Sequence, residues 1–86
     1  PVPKPVIQID RSDKNPDVVD LICEYSETII WKNSAGKILK GSPHNRTGEF
    51  ITVENKRNPD NYYTCTLKNA MNEETSDPVY ERDLFK

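Results

Sequence analysis

Two cysteines, Cys23 and Cys65, constrain the possible folds of this chain more than any other feature. They lie 42 positions apart, and each belongs to a stretch in which apolar residues alternate with others. In "VVDLICEY", from residue 18, Cys23 shares its phase with Val19 and Leu21, and in "NYYTCTLKN", from residue 61, Cys65 shares its phase with Leu67. A period of two is typical of a half-buried strand. We therefore expect both cysteines to point into the interior.

The rest of the chain predicts further short strands separated by turn residues. They lie at Pro5–Ile9, "TIIWKN" (28–33), "KILK" (37–40), "EFITV" (49–53) and "PVYERDLF" (78–85). Turns or loops are predicted between them, at Ser26–Glu27, at 34–37 with Gly36 available for positive φ, at 41–48, at 55–60 and at 69–77. About seven strands without a helical period indicate an all-β protein, most often an antiparallel sandwich.

An aromatic pair makes this prediction more specific. Trp31 falls on the inward phase of the strand after the first cysteine, and Tyr63 precedes the second cysteine by two positions. In an immunoglobulin-type sandwich a disulfide joins the second and sixth strands across the core, a tryptophan packs against it, and such a tyrosine bonds the backbone of the preceding turn. A Cys23–Cys65 disulfide is predicted on these grounds. The alternative is two free buried cysteines in a reducing compartment.

Composition limits the functions that this chain can have. Its 86 residues are predicted to form one domain, residues 1–86, with 34% hydrophobic and 30% charged residues. A net charge of −2 gives no electrostatic reason to bind nucleic acid or an anionic membrane. No stretch approaches the length of a membrane span. We expect the chain to be a soluble ectodomain, attached to a membrane only through a segment outside this sequence.

Residues with catalytic or ligand-binding chemistry are few. His44 lies in a polar loop without a second ligand at metal-binding spacing, so we predict a solvated histidine and no metal or other cofactor. Phosphate-binding and nucleophile motifs are missing from the sequence. We therefore predict neither an enzyme nor a small-molecule substrate. Asn45, in Asn45-Arg46-Thr47, is a candidate N-glycosylation site.

The segments "LICEYSETIIWKN", "SAGKIL" and "NPDNYYTC" resemble the extracellular domains of the gamma/delta-type signalling chains of the T-cell receptor complex. These domains share a tight turn between the second and third strands and the pattern Asp-Pro-x-Gly-x-Tyr-x-Cys. Pro59, Tyr63 and Cys65 match that pattern, while Asn58 and Asn61 replace the acid and the glycine. The resemblance covers about residues 18–70.

The resemblance implies a function in receptor assembly at the extracellular side of the plasma membrane. Family members form heterodimers with an epsilon-type partner along the edge of their last strand. The predicted last strand is therefore a candidate partner contact. The outward face of the second sheet is another, because it places an exposed isoleucine beside a tyrosine; the alternative is that single apolar surface residues have no function. The candidate residues are Ile30, Tyr62, Thr64, Val79, Tyr80, Glu81 and Arg82. Charged residues in the last strand would equally protect an unpaired edge from aggregation.

Two other functions remain open from the sequence. The start "PVPKPVI" resembles the second domain of lymphocyte adhesion receptors, which favours a cell-adhesion or ligand-binding domain that uses the face around Ile30 and Tyr62. The third hypothesis is a spacer domain of a cytosolic filament protein. It predicts free thiols, whereas both extracellular hypotheses predict a disulfide.

Overall fold

Two antiparallel sheets form this protein, as seen in a computed structural model that describes residues 4–11, 14–24 and 28–85. These residues form nine strands and one short helix: β1 (Gln8–Arg11), β2 (Val18–Glu24), β3 (Thr28–Asn33), β4 (Ile38–Leu39), β5 (Ser42–Pro43), β6 (Gly48–Glu54), β7 (Tyr62–Lys68), β8 (Glu73–Thr75), β9 (Val79–Tyr80) and α1 (Glu81–Leu84).

The strands are ordered as in an immunoglobulin-like sandwich. The four-stranded sheet has the order β1-β2-β6-β5, and the five-stranded sheet has the order β4-β3-β7-β8, with β9 also paired to β7. Each neighbouring pair is antiparallel. The predicted all-β sandwich is therefore confirmed.

The core is built around the disulfide between Cys23 of β2 and Cys65 of β7, so the bond joins the two sheets. Their Cα atoms are 6.6 Å apart, and the predicted disulfide is confirmed. Trp31 pairs in register with Cys65 and is 0% exposed. Leu21 and Leu67 lie in the same cluster. The alternating phase of the sequence thus places the sulfurs and the indole in one apolar layer.

Several predicted boundaries were wrong. The first strand begins at Gln8, not Pro5, and extends to Arg11. The predicted hairpin turn over 69–77 is shorter, because the Asn69 side chain accepts hydrogen bonds from the N–H groups of Met71 and Asn72, which closes the turn within four residues. β8 follows directly.

Two further turns were predicted from the sequence. Gly36 has a φ of 81°, as its turn requires. The predicted Ser26–Glu27 turn lies outside the described residues.

The predicted last strand, 78–85, was also wrong in extent. Only Val79–Tyr80 is extended, and a one-turn helix occupies Glu81–Leu84. Between β8 and β9 the register against β7 shifts by one residue: Thr75 is opposite Thr66, whereas Val79 is opposite Tyr63. Three residues, 76–78, therefore lie opposite two, which is a β-bulge.

Ser76 holds this bulge in place. Its N–H donates to the Cys65 carbonyl at 2.8 Å, and its hydroxyl accepts from the Cys65 N–H at 3.0 Å. Ser76→Ala would leave that buried N–H without an acceptor, so we expect a loss of about 1–2 kcal/mol in unfolding free energy. Denaturant unfolding measures it. The control Ser34→Ala removes an exposed hydroxyl and should change stability by less than about 0.5 kcal/mol. Equal effects of both substitutions would contradict this assignment.

The helix α1 closes one end of the sandwich. Leu84 is 1% exposed and belongs to the core cluster, with Phe85 packed beside it. Arg11 of β1 donates to the main-chain carbonyls of Asp83 and Leu84 at the end of this helix. Carbonyls in the last turn of a helix lack intrahelical partners, so the arginine satisfies two of them and ties α1 to the four-stranded sheet.

Candidate partner-contact surface

The outward face of the five-stranded sheet contains four of the predicted contact residues. Ile30 lies on β3 and faces Thr66 in register, while Thr64 pairs with Lys32. Tyr62 of β7 lies opposite Tyr80 of β9. Ile30, Tyr62, Thr64 and Tyr80 are all half-buried. Tyr63, Cys65 and Leu67 of β7 point into the core. Side chains alternate along a strand, so Tyr62 and Thr64 point outward.

An aromatic cluster occupies one end of this face. We use that name for Tyr62, Tyr80 and Arg82. The two rings have centroids 5.4 Å apart with planes tilted by 56°, and the Arg82 guanidinium carbon lies 5.2 Å from the centre of the Tyr80 ring. Arg82 also donates to the carbonyl of Pro59 and pairs with the Asp60 carboxylate. These contacts hold the arginine against the ring, so the cluster is ordered without a partner.

The middle of the face is polar and includes the charged Lys32, which lies opposite Thr64. Thr66 and Thr75 share a hydrogen bond between hydroxyls at 2.9 Å, and Thr66 is only 4% exposed. Ile38 of β4 pairs with Lys32 and is 66% exposed. Ile38 was not among the predicted contact residues, although its alternation with the inward Leu39 could have identified it. The face therefore has apolar residues at both of its edges.

Two predicted contact residues do not lie on this face. Val79 pairs with Tyr63 and packs against the core cluster. Glu81 is 2% exposed, and its carboxylate accepts from the N–H groups of Lys56 and Asn58 and from the side-chain amide of Asn61. The sequence placed Glu81 on an exposed strand, but it belongs to the helix that follows the strand. Arg82 is exposed, beside Tyr80.

The sheet edge formed by β8 and β9 is short and interrupted. The Glu81 N–H donates to the Asn61 carbonyl, and the Ser76 N–H to that of Cys65. Because alternate residues of a strand direct their main-chain groups to opposite sides, Tyr80 directs its groups to the open side. Pro78 has no N–H, and Asp77 is paired with Lys4 at 2.8 Å. The edge thus offers separate short stretches for pairing with another strand.

Tyr63 takes the predicted core position but not the predicted hydrogen bond. Its side chain is 8% exposed. Within the described residues its hydroxyl makes no hydrogen bond to the preceding turn, and Glu81 instead holds that turn. Burial raises the pKa of the Tyr63 phenol, and the nearby Glu81 carboxylate raises it further. The turn therefore depends on a carboxylate rather than on a tyrosine hydroxyl.

His44 and Asn45 lie together at the other end of the four-stranded sheet. Glu24 accepts a hydrogen bond from the Asn45 amide at 3.2 Å, and His44 Nε2 lies 3.3 Å from the same carboxylate oxygen. The Thr47 N–H donates to the Asn45 side-chain oxygen at 2.9 Å. Asn45 and Thr47 are both exposed. Glycosylation of Asn45 stays a prediction.

The described ranges also bear on metal binding and on membrane spanning. These residues contain no group of three or more His, Cys, Asp or Glu side chains that could hold a metal ion. No helix among them has the length and apolar character to cross a bilayer. In comparisons with known proteins, no family model, no curated protein and no solved structure matches this chain.

Proposed function

We propose that this chain is the extracellular domain of a T-cell-receptor-associated signalling subunit, which assembles with an epsilon-type immunoglobulin-like chain at the cell surface. Three observations support the proposal. The chain has an immunoglobulin-like sandwich with an inter-sheet disulfide, it contains the motifs that resemble the gamma/delta-type chains, and it has an ordered aromatic cluster beside a sheet edge. Disulfides persist in oxidising compartments, which supports an extracellular location.

The aromatic cluster is the observation on which the proposed contact depends. Tyrosine and arginine are enriched among the residues that contribute most to interface affinity. Tyr80 and Arg82 already hold each other in place, so little side-chain entropy would be lost on binding. The neighbouring edge at β8 and β9 is interrupted by the bulge. We therefore propose that side chains of the cluster, rather than a long strand pairing, contribute most of the affinity.

Gel filtration and a titration with an epsilon-type partner test this proposal. We expect the mixture to elute as a heterodimer. Tyr80→Ala should raise the Kd about 30-fold, the equivalent of about 2 kcal/mol, because a buried tyrosine anchor is lost. Circular dichroism of the free variant checks that it stays folded.

The matched control is Ile38→Ala, which truncates an exposed side chain at the opposite edge of the same sheet. It should leave the Kd unchanged. If the parent chain and the partner elute as two monomers while an established heterodimer elutes correctly, the assembly proposal fails. If Ile38→Ala weakens the complex as much as Tyr80→Ala does, the cluster has no special role.

An adhesion or ligand-binding domain is the second candidate function. It is favoured by Ile38, which is 66% exposed, together with Ile30 on the neighbouring strand. This pair of isoleucines lies away from the β8–β9 edge and would suit a ligand on another cell. Ile30→Asp should then abolish ligand binding and leave co-assembly with an epsilon-type chain intact. The Cys23–Cys65 disulfide weighs against the third hypothesis, a cytosolic filament spacer.

A further inference from the structure

A groove of about 550 Å³ opens between the two sheets on the side away from β8 and β9. Its floor consists of the core residues Ile51, Val53 and Tyr63, together with Leu39, which is partly buried and packs against the core. Strand β4 borders it on one side and the end of β6 on the other. The groove is distinct from the aromatic cluster, so an occupant here would not compete with the proposed heterodimer partner.

Three lysines surround the groove, and we call it the lysine groove. Lys37, Lys40 and Lys56 are all exposed lining residues, and none of them pairs with a carboxylate in the described part of the chain. Glu54 is the acidic residue among the lining residues, so three lysines and one glutamate give a local charge of +2. The whole chain has a net charge of −2. This positive charge is therefore local, and it suits an anionic ligand.

Unpaired main-chain groups also face the lysine groove. On the side of β6 that faces β2, the Asn55 N–H donates to the main-chain carbonyl of Asp17. On the opposite side, which faces β5, the Gly48 carbonyl accepts from the main-chain N–H of His44. Main-chain groups alternate along a strand, so Thr52 and Glu54 direct theirs toward the groove. β5 pairs only with Glu49 and Phe50. In the described residues, no strand pairs with Thr52 and Glu54 on that side.

The positive charge of the lysines and the open main-chain groups of β6 together indicate an extended peptide rather than a compact anion. A strand that adds to an open edge obtains affinity from main-chain hydrogen bonds and specificity from alternate side chains. One side of such a strand would contact the apolar floor, and the other would place carboxylates near the lysines. We propose that the lysine groove binds an extended partner segment in which acidic and apolar residues alternate, paired with β6 at Thr52 and Glu54.

The probe for this proposal is a synthetic peptide of alternating glutamate and leucine, capped at both ends and about seven residues long, enough to extend along the exposed half of β6. Titration of the isolated, isotope-labelled chain should shift the amide resonances of Thr52 and Glu54 saturably and slow their hydrogen exchange. A peptide of alternating glutamine and leucine should bind about tenfold more weakly, because it lacks the carboxylates.

Matched double substitutions locate the charge. Lys37→Gln with Lys56→Gln should weaken binding of the glutamate peptide about tenfold. Lys32→Gln with Lys68→Gln makes the same change of net charge on exposed strand positions outside the groove, and it should have no effect. Equal loss in both variants would mean non-specific attraction and would overturn the proposal.

A second titration, with decanoate, tests a small amphiphile as the occupant. If decanoate shifts the methyl resonances of Leu39, Ile51 and Val53 while the peptide leaves Thr52 and Glu54 unprotected, the groove is a site for small anionic amphiphiles and the peptide proposal is wrong. Protection of Thr52 and Glu54 by the glutamate peptide alone supports it. None of these measurements involves the epsilon-type chain, so their outcome is independent of the assembly proposal.

Discussion

Replacement of both cysteines, as Cys23→Ala with Cys65→Val, is expected to lower the free energy of unfolding by about 4 kcal/mol. The bond closes a loop of 42 positions, and closure of a loop this long restricts the unfolded chain strongly. Small domains have about 5–15 kcal/mol of stability in total. The variant should therefore be close to unfolding at room temperature. Denaturant titration measures the change, with the fluorescence of Trp31, the one tryptophan of the chain, as the signal.

The parent protein in its reduced form is the matched control. It lacks the same cross-link but keeps both native side chains, so it separates loop closure from packing. We expect the reduced parent and the double variant to agree within about 1 kcal/mol, because alanine and valine together replace most of the apolar volume. A double variant as stable as the oxidised parent would mean that the sandwich is held by packing alone and that the disulfide adds little.

The central part of the fold could be predicted because strand phase is a local property. Side chains alternate along a strand whatever its partners are, so Cys23, Trp31 and Cys65 could be assigned to the interior from the sequence. The structure places all three at 0% exposure. The outward positions of Ile30 and Tyr62 follow from the same alternation. Phase therefore predicted the core and most of the candidate contact face.

The C-terminal segment could not be predicted in this way, because its conformation depends on distant partners. The bulge depends on Ser76, whose hydroxyl accepts a hydrogen bond from the main-chain N–H of Cys65. The end of the last strand depends on Glu81, which sequence rules place at the surface because glutamate is rarely buried unless it is paired. Its partners are main-chain N–H groups about 25 residues earlier in the chain. No local pattern of charge or hydropathy reveals such partners.

The lysine groove could not be predicted from the sequence for a related reason. Lys37, Lys40 and Lys56 come from the turn before β4, the connection after β4 and the loop after β6. Each is a single lysine in a polar segment, and such residues are normally solvated. Only the packing of one sheet on the other brings them around a common opening. The open main-chain groups of Thr52 and Glu54 likewise follow from β5 being only two residues long.

Glu81 anchors the loop before β7 through an arrangement that suits a carboxylate. Arg57 has a φ of 60°, a left-handed conformation that costs about 1–2 kcal/mol for a residue with a side chain. That conformation aims the N–H groups of its two neighbours, Lys56 and Asn58, at the same Glu81 oxygen, at 2.7 and 3.3 Å. Successive main-chain N–H groups around a residue in this conformation form a concave anion site. The anion here is a side chain of the protein itself.

Glu81→Ala should therefore lower the free energy of unfolding by about 3 kcal/mol, because two main-chain N–H groups and the Asn61 amide lose a charged acceptor. Glu81→Gln keeps one acceptor oxygen but places an NH₂ group toward the Asn61 amide, so we expect a smaller loss of about 1–2 kcal/mol. Denaturant unfolding gives the stabilities, and hydrogen exchange of the Lys56 and Asn58 amides reports the loop directly.

The control for this prediction is Asp83→Ala in the same one-turn helix. Asp83 is exposed, and within the described residues its carboxylate has no hydrogen-bond partner, so the change should stay within about 0.5 kcal/mol. Exchange at Lys56 and Asn58 should rise in Glu81→Ala beyond what the global loss of stability explains, because the loop opens before the sheets separate. If both amides exchange as in the parent, or if Asp83→Ala destabilises the protein equally, Glu81 does not hold the loop. The burial of its carboxylate would then follow from the packing of Leu84 alone.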